Sequence, residues 1–311
     1  MQTPLQQLHA QIKSGSFRAL ARGITIVENE LTGYDALLKD LNDTGNTKVV
    51  GITGPPGAGK STLVNALLGH WLAEGLKIAV LAVDPSSPFN YGSLLGDRIR
   101  MNEFYTNKNI YIRSLSARGA LGGLNAKIVE ITDLVKEARF DIVLVETVGV
   151  GQSEVEIAGL ADCTVVVLVP EAGDEVQTLK AGIMEIADIF VVNKADRADA
   201  EGLYRNLRML VHEKATDGGE IPVVKTIATG KDGVADLSRE IMGFLEGKGT
   251  NKMRRTYMLT EKALQIIRKI RMRDIDTDAL AAHIGVEMGK PGCNIYRVTE
   301  EFLRQLHESS R

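Results

Sequence analysis

The chain has 311 residues, 44% hydrophobic and 25% charged, with a formal net charge of −3, so it reads as an ordinary globular protein with no basic face to favour nucleic acid as a partner. No run of about 18 apolar residues occurs and the first residues show no basic stretch ahead of an apolar core, so neither a membrane span nor a secretory leader is expected. Cys163 and Cys293 lie far apart, which excludes a disulfide framework and suits a reducing cytoplasm.

Along the chain, Leu5, Leu8 and Ile12, then Ile24, Ile26, Val27 and Leu31, recur at roughly helical spacing, so residues 1–45 read as an N-terminal helical extension. From 46 to 247 apolar runs alternate with amphipathic stretches. The runs are KVVGIT (48–53), KIAVLAVD (77–84), IYIRSL (110–115), DIVLVET (141–147), TVVVLV (164–169), IFVVN (189–193) and PVVKTI (222–227). Continuous apolar runs suit strands covered on both faces. Strands separated by helices imply right-handed βαβ units, hence an α/β fold with a mostly parallel sheet. Residues 248–311 begin in a polar stretch and then read as a second helical extension. There Met258, Leu259, Ala263, Ile266, Ile267 and Ile270 form a stripe that must be buried against the sheet domain or a second subunit.

Two motifs inside the central region carry chemistry. GPPGAGKST follows the first strand and opens a helix, which is the G-x-x-x-x-G-K-[ST] phosphate-loop pattern in its expected context. Gly54, Gly57 and Gly59, with Pro55, Pro56 and Ala58 between them, let backbone N–H groups wrap a polyphosphate. Lys60 is placed to reach the β- and γ-phosphates, and Ser61, beside Thr62, to ligate Mg²⁺. VVNKAD (191–196) ends a later strand and matches N-K-x-D. A carboxylate at Asp196 accepts from guanine N1–H and the 2-amino group, and adenine offers neither donor, so the pattern selects GTP and GDP over ATP. Asn193 is expected to tie this loop to the phosphate loop and Lys194 to lie along the base. TIA after the last strand brings the Ile227 and Ala228 backbone N–H groups toward guanine O6.

The carboxylates are less usual. In "VLVETVGVGQSEVE" the fourth strand ends in Glu146, where such enzymes usually carry Asp, and Gly149 follows three residues later. Glu146 is one methylene longer and reaches a metal-bound water from farther back. Gly149 then offers its N–H to the γ-phosphate, and Gln152 and Glu154 either orient the attacking water or form a polar helix start. Asp84 and Asp97 lie in and after VDPSSP, and either can complete the Mg²⁺ shell directly or through water.

Taken in this order, GPPGAGKST, VDPSSP, LGDRIRM, ETVGVGQSE and NKAD resemble the MeaB/ArgK family of P-loop GTPases, over residues 1 to about 290. In that family a Glu closes the same strand. The resemblance implies a homodimeric GTPase whose partner is an adenosylcobalamin-dependent acyl-CoA mutase. Such a protein gates cobalamin delivery from an adenosyltransferase and protects or reactivates the mutase. It also implies that EAGDEVQTLKAGIME (171–185) is an extra switch segment with Glu175 and Lys180 as its working charges, although the residues alone read as a loop and an amphipathic helix. The rival functions are a nickel-inserting GTPase and a kinase linked to amino-acid transport. The first needs clustered Cys or His, whereas His9, His70, His212, His283 and His307 are scattered. The second needs a base at an acceptor pocket, which no motif supplies.

Overall fold

The apolar runs form seven strands: β1 (Lys48–Thr53), β2 (Ile78–Asp84), β3 (Ile110–Ser116), β4 (Ile142–Glu146), β5 (Cys163–Leu168), β6 (Ile189–Asn193) and β7 (Val223–Thr226). The computed structural model describes residues 3–42, 46–84, 101–116, 125, 127–147, 153–171, 184–214, 220–247, 252–272, 275–289 and 293–309. The strands make one parallel sheet in the order β3-β2-β4-β1-β5-β6-β7. The helices, in chain order, are α1 (Pro4–Lys13), α2 (Phe17–Glu28), α3 (Tyr34–Lys39), α4 (Lys60–Ala73), α5 (Ile128–Lys136), α6 (Ser153–Leu160), the single turn α7 (Met184–Ile186), α8 (Ala200–Lys214), α9 (Val234–Glu246), α10 (Lys252–Arg271), α11 (Thr277–Met288) and α12 (Ile295–Ser309).

Side chains alternate across each strand, so the sheet has two apolar faces. On one, Val50 and Ile52 of β1 and Leu144 of β4 pack with Leu63, Leu67 and Trp71 of α4 and with Leu237 and Ile241 of α9. Trp71 Nε1 donates to Ser238 Oγ at 2.9 Å, joining those two helices inside the core. On the other face, Val49, Val143 and Val145 meet Leu20 and Ile24 of α2, Ile131 of α5 and Ile157 of α6. Next to it, Val166 and Leu168 of β5 and Phe190 and Val192 of β6 are covered by α8. The helices before residue 46 therefore share a core with the sheet. α1 starts in a reciprocal cap, with Thr3 Oγ1 accepting from Gln6 N and Gln6 Oε1 accepting from Thr3 N.

Three aspartates pin strand register at the end of the sheet away from the phosphate loop. Asp141 precedes β4, Asp162 precedes β5 and Asp188 precedes β6. Each donates its backbone N–H to a carbonyl on the neighbouring segment and accepts that same residue's N–H on its carboxylate. The partners are Lys77 at 2.9 and 2.8 Å, Val49 at 2.8 and 2.9 Å, and Thr164 at 2.9 and 2.8 Å. A one-residue slip would break both bonds of each pair and turn every side chain to the wrong face.

The chain divides into two compact units, Met1–Lys252 and Met253–Arg311. In the second, Asp276 caps α11 by accepting from Asp278 N and Ala279 N. Val298 and Phe302 of α12 are buried, and the Phe302 ring lies 5.7 Å from that of His283. On α10, Leu259, Ile266, Ile267 and Ile270 are 58%, 46%, 52% and 62% exposed. Among the described residues no helix is long and apolar enough to cross a membrane.

Candidate functional site

The site lies at the C-terminal ends of the strands, where the strand order turns back at β1 between β4 and β5 and continues through β6 to β7. In open parallel sheets this is where ligands bind. The phosphate loop leaves β1 and enters α4. Its glycines are there for conformation and room: Gly54, Gly57 and Gly59 have φ of 141°, 77° and 84°. A Cβ on Gly54 would stand 2.1 Å from the Val167 carbonyl, and one on Gly59 would stand 2.5 Å from Asn193 Nδ2. Pro56 and Gly57 are exposed at the tip, Pro55 and Thr62 are half-buried, and Ala58 is buried. Lys60 is only 6% exposed, and its Nζ donates to the carbonyls of Gly54 at 2.8 Å and Pro55 at 3.0 Å. The ammonium is thereby held across the mouth of the loop.

Glu146, 4% exposed, closes β4 on the α4 face, where its Oε1 accepts a 2.6 Å hydrogen bond from Ser61 Oγ. A hydroxyl and a carboxylate in contact are hard oxygen donors of the kind Mg²⁺ takes, so the residues present fit that ion. Next to them is a pair that the sequence reading did not single out. Thr147 Oγ1 donates to Thr53 Oγ1 at 2.9 Å, and Thr147 N donates to the Ile52 carbonyl at 3.1 Å. The only available signal was a hydroxyl at each of two strand ends flanking a phosphate loop.

The base loop is built around Asn193, 2% exposed at the end of β6. Its Nδ2 donates to the Ala58 carbonyl at 2.9 Å. Its Oδ1 accepts from Thr226 Oγ1 at 3.0 Å and from Ala228 N at 3.3 Å. One amide thus joins phosphate loop, base loop and the end of β7. Lys194 is in the left-handed region at φ 56° and Ala195 N donates to Thr226 O at 3.0 Å, which turns the chain sharply so that the Asp196 carboxylate is exposed. Ile227 N is spent on Asp232 O at 3.0 Å, whereas the Ala228 N–H makes the longer bond to Asn193 Oδ1 at 3.3 Å. Arg197, just beyond Asp196, pairs with Glu171.

Among the described residues, the titrations of Tyr111 and Glu201 are shifted, both away from the phosphate loop. Burial pushes Tyr111 up to about 12 against the opposing charge of Arg113. A hydrogen bond from Lys225 holds Glu201 below the usual carboxylate range, with Lys225 also lying 4.8 Å from the Tyr204 ring centroid.

The structure therefore brings together residues 54–62, Glu146, Asn193, Lys194, Asp196, Ile227 and Ala228. Asp84 ends β2, with its side chain outside the described residues, as is that of Glu154 on α6. Asp97, Gly149, Gln152, Glu175 and Lys180 lie outside the described residues altogether.

The family model for the methylmalonyl-CoA mutase-associated GTPase MeaB matches residues 20–283. A Pyrococcus horikoshii protein named as a GTPase is 44% identical over 281 residues, covering 88% of this chain and 89% of that one. The GTPase ArgK of Escherichia coli is 38% identical over 245 residues, covering 75% and 74%. The mitochondrial methylmalonic aciduria type A homolog of Caenorhabditis elegans is 43% identical over 209 residues, covering 62% of this chain and 52% of that one. The crystal structure of a LAO/AO transport system kinase superposes with a TM-score of 0.69 at 27% identity, covering 99% and 98%. A P-loop nucleotide fold, an Asn-centred base loop beside it, and a family match over most of the chain lead to one conclusion: the chain belongs to the MeaB family of P-loop GTPases.

Proposed function

We propose that the protein binds GTP and hydrolyses it with Mg²⁺, and uses that cycle to gate adenosylcobalamin loading of an acyl-CoA mutase and to protect or reactivate that enzyme. The observation that carries the nucleotide half is the Asn193 amide, which joins the phosphate loop at Ala58 to the base loop that presents Asp196. The client half is supported by the description of the matching family and by the name of the C. elegans relative.

In this reading the chain's own residues divide the work. Lys60 exchanges its loop carbonyls for phosphate oxygens, and Asp196 accepts from guanine. Ser61 and Glu146, with Asp84 or Asp97, hold Mg²⁺, which when bound neutralises charge on the phosphates. Gly149, Gln152 and Glu154 follow the γ-phosphate and the attacking water, and Glu175 and Lys180 relay the nucleotide state to the mutase. The protein works in the cytoplasm as a homodimer, in which the apolar α10 face meets its own copy across a two-fold axis. An adenosyltransferase is a further partner that hands over the cofactor.

The test is single-turnover GTP hydrolysis with and without a cobalamin-dependent mutase, paired with co-purification in a non-hydrolysable GTP analogue. A slow intrinsic rate accelerated by the mutase is expected, since a stabilising Arg is worth on the order of 10³–10⁵ in rate. Identical rates and no complex would end the chaperone reading. Equal affinity for ATP and GTP would end the guanine reading.

A further inference from the structure

Glu146 and Thr147 are consecutive, so their side chains leave the end of β4 toward opposite faces of the sheet. Both grip the phosphate loop. Glu146 meets Ser61, just past the loop, on the α4 face. Thr147 meets Thr53, the last residue before the loop, on the face that carries α6. The register Ile52↔Glu146 puts Thr53 and Thr147 side by side, and Thr147 N continues the ladder to Ile52 O at 3.1 Å. Thr53 and Thr147 are 0% and 2% exposed, so no solvent competes for the hydroxyls. Behind them the same strand makes room for α6: a Cβ on Gly51 would stand 2.5 Å from Ile157 and 3.1 Å from Ala161. The backbone bond and the hydroxyl bond together fix how far the end of β4 can rotate about its own axis. That rotation decides where the Glu146 carboxylate stands. A misplacement of about 1 Å at a reacting centre can cost on the order of 100-fold in rate.

We propose that Thr147 is a positioning residue, which through its hydroxyl bond to Thr53 sets the orientation of β4's end and so holds the Glu146 carboxylate against Ser61 in the geometry that Mg²⁺ and nucleotide need. The inference rests on the guanine-nucleotide reading of the site given above. It assigns Thr147 no contact with nucleotide or metal; its effect passes through Thr53 and Glu146.

The test uses the full chain and four variants: Thr147→Val, Thr147→Ser, Thr53→Val and the double valine variant. Each is titrated with a fluorescent GDP analogue with and without Mg²⁺, and kcat and KM for GTP are measured. Valine keeps the shape and removes one hydroxyl. Either valine variant is expected to reduce the factor by which Mg²⁺ tightens GDP, and kcat, by about 10-fold, the weight of one buried hydrogen bond. KM and Mg²⁺-free affinity should stay within about 3-fold, Thr147→Ser should restore the wild-type values, and the double variant should be no worse than either single one. Thr53→Val tests the same bond from the acceptor side if the Thr147→Val chain does not fold. Valine variants with the wild-type Mg²⁺ factor, or single effects that simply add in the double variant, overturn the proposal while leaving the nucleotide site intact. A wild-type chain without Mg²⁺-dependent guanine binding overturns the reading of the site, and this inference with it.

Discussion

Replacing Asn193 by Ala removes three hydrogen bonds at once. The Ala58 carbonyl loses its donor at 2.9 Å, and the Thr226 hydroxyl and Ala228 N–H lose their acceptor at 3.0 and 3.3 Å. Ala58, Thr226 and Ala228 are 0%, 1% and 7% exposed, so water does not readily take over. At about 1 kcal/mol each, the loss is roughly 3 kcal/mol. How that sum divides is informative. If the loops stay together in the nucleotide-free variant, the whole loss appears in apo stability and affinity is unchanged. If they part, the apo chain recovers some of the loss and nucleotide must restore the arrangement, so affinity falls by up to about 150-fold. Urea denaturation followed by the single tryptophan, Trp71, gives the first quantity, and a fluorescent GDP titration gives the second. Together they should account for about 3 kcal/mol. Asn193→Asp keeps the acceptor but turns a carboxylate oxygen toward the Ala58 carbonyl, and should be at least as damaging. A stability loss under about 0.5 kcal/mol with affinity changed less than about 2-fold would refute the idea that this amide holds the site together.

Asp196→Asn should shift preference from guanine to xanthine nucleotides, with GDP affinity reduced roughly 10- to 150-fold as one charge-assisted bond is lost; unchanged selectivity in a competition titration would contradict the base-loop assignment. Asp162→Ala strands the buried Val49 N–H, which it accepts at 2.9 Å, and should lower unfolding stability by about 1–3 kcal/mol in urea melts without altering GDP affinity. Glu146→Asp should break the direct bond to Ser61 and change the Mg²⁺ concentration needed for half-maximal nucleotide binding; an unaltered Mg²⁺ titration would show that the carboxylate's length is immaterial.

The parallel sheet was legible because its strands are continuous apolar runs, and β6 matches its predicted span, 189–193, to the residue. The edges moved where a local bond intervened. PVVKTI runs to 227, yet β7 stops at Thr226 because the Ile227 N–H is spent on Asp232. The strand read from Thr164 begins at Cys163, since Asp162 already clamps Val49 across the sheet. The phosphate and base loops were legible because their chemistry is local in sequence. Thr53 and Thr147 were not: they stand 94 residues apart, and only strand register shows that they meet. The same holds for α1–α3, whose apolar positions announced helices but not that they would share a core with β1 and β4. On α10 the periodicity announced a helix, but a stripe says that a face wants cover and not which surface supplies it.

Why a Glu should end β4 follows from reach. Glu146 leaves the sheet opposite Ile52, two residues before the first loop glycine, while its partner Ser61 lies beyond the loop in the first turn of α4. The longer side chain brings Oε1 to 2.6 Å from Ser61 Oγ. One methylene less withdraws the carboxylate by about 1.5 Å, from a hydrogen bond to a gap that only a water or an ion could bridge. With Glu, the hydroxyl that would ligate Mg²⁺ is already held by the Glu146 carboxyl, and Lys60 is likewise held by the Gly54 and Pro55 carbonyls. In the proposed reading, metal and phosphate would exchange existing bonds rather than fill open valences. Breaking those bonds is a cost that nucleotide binding must offset.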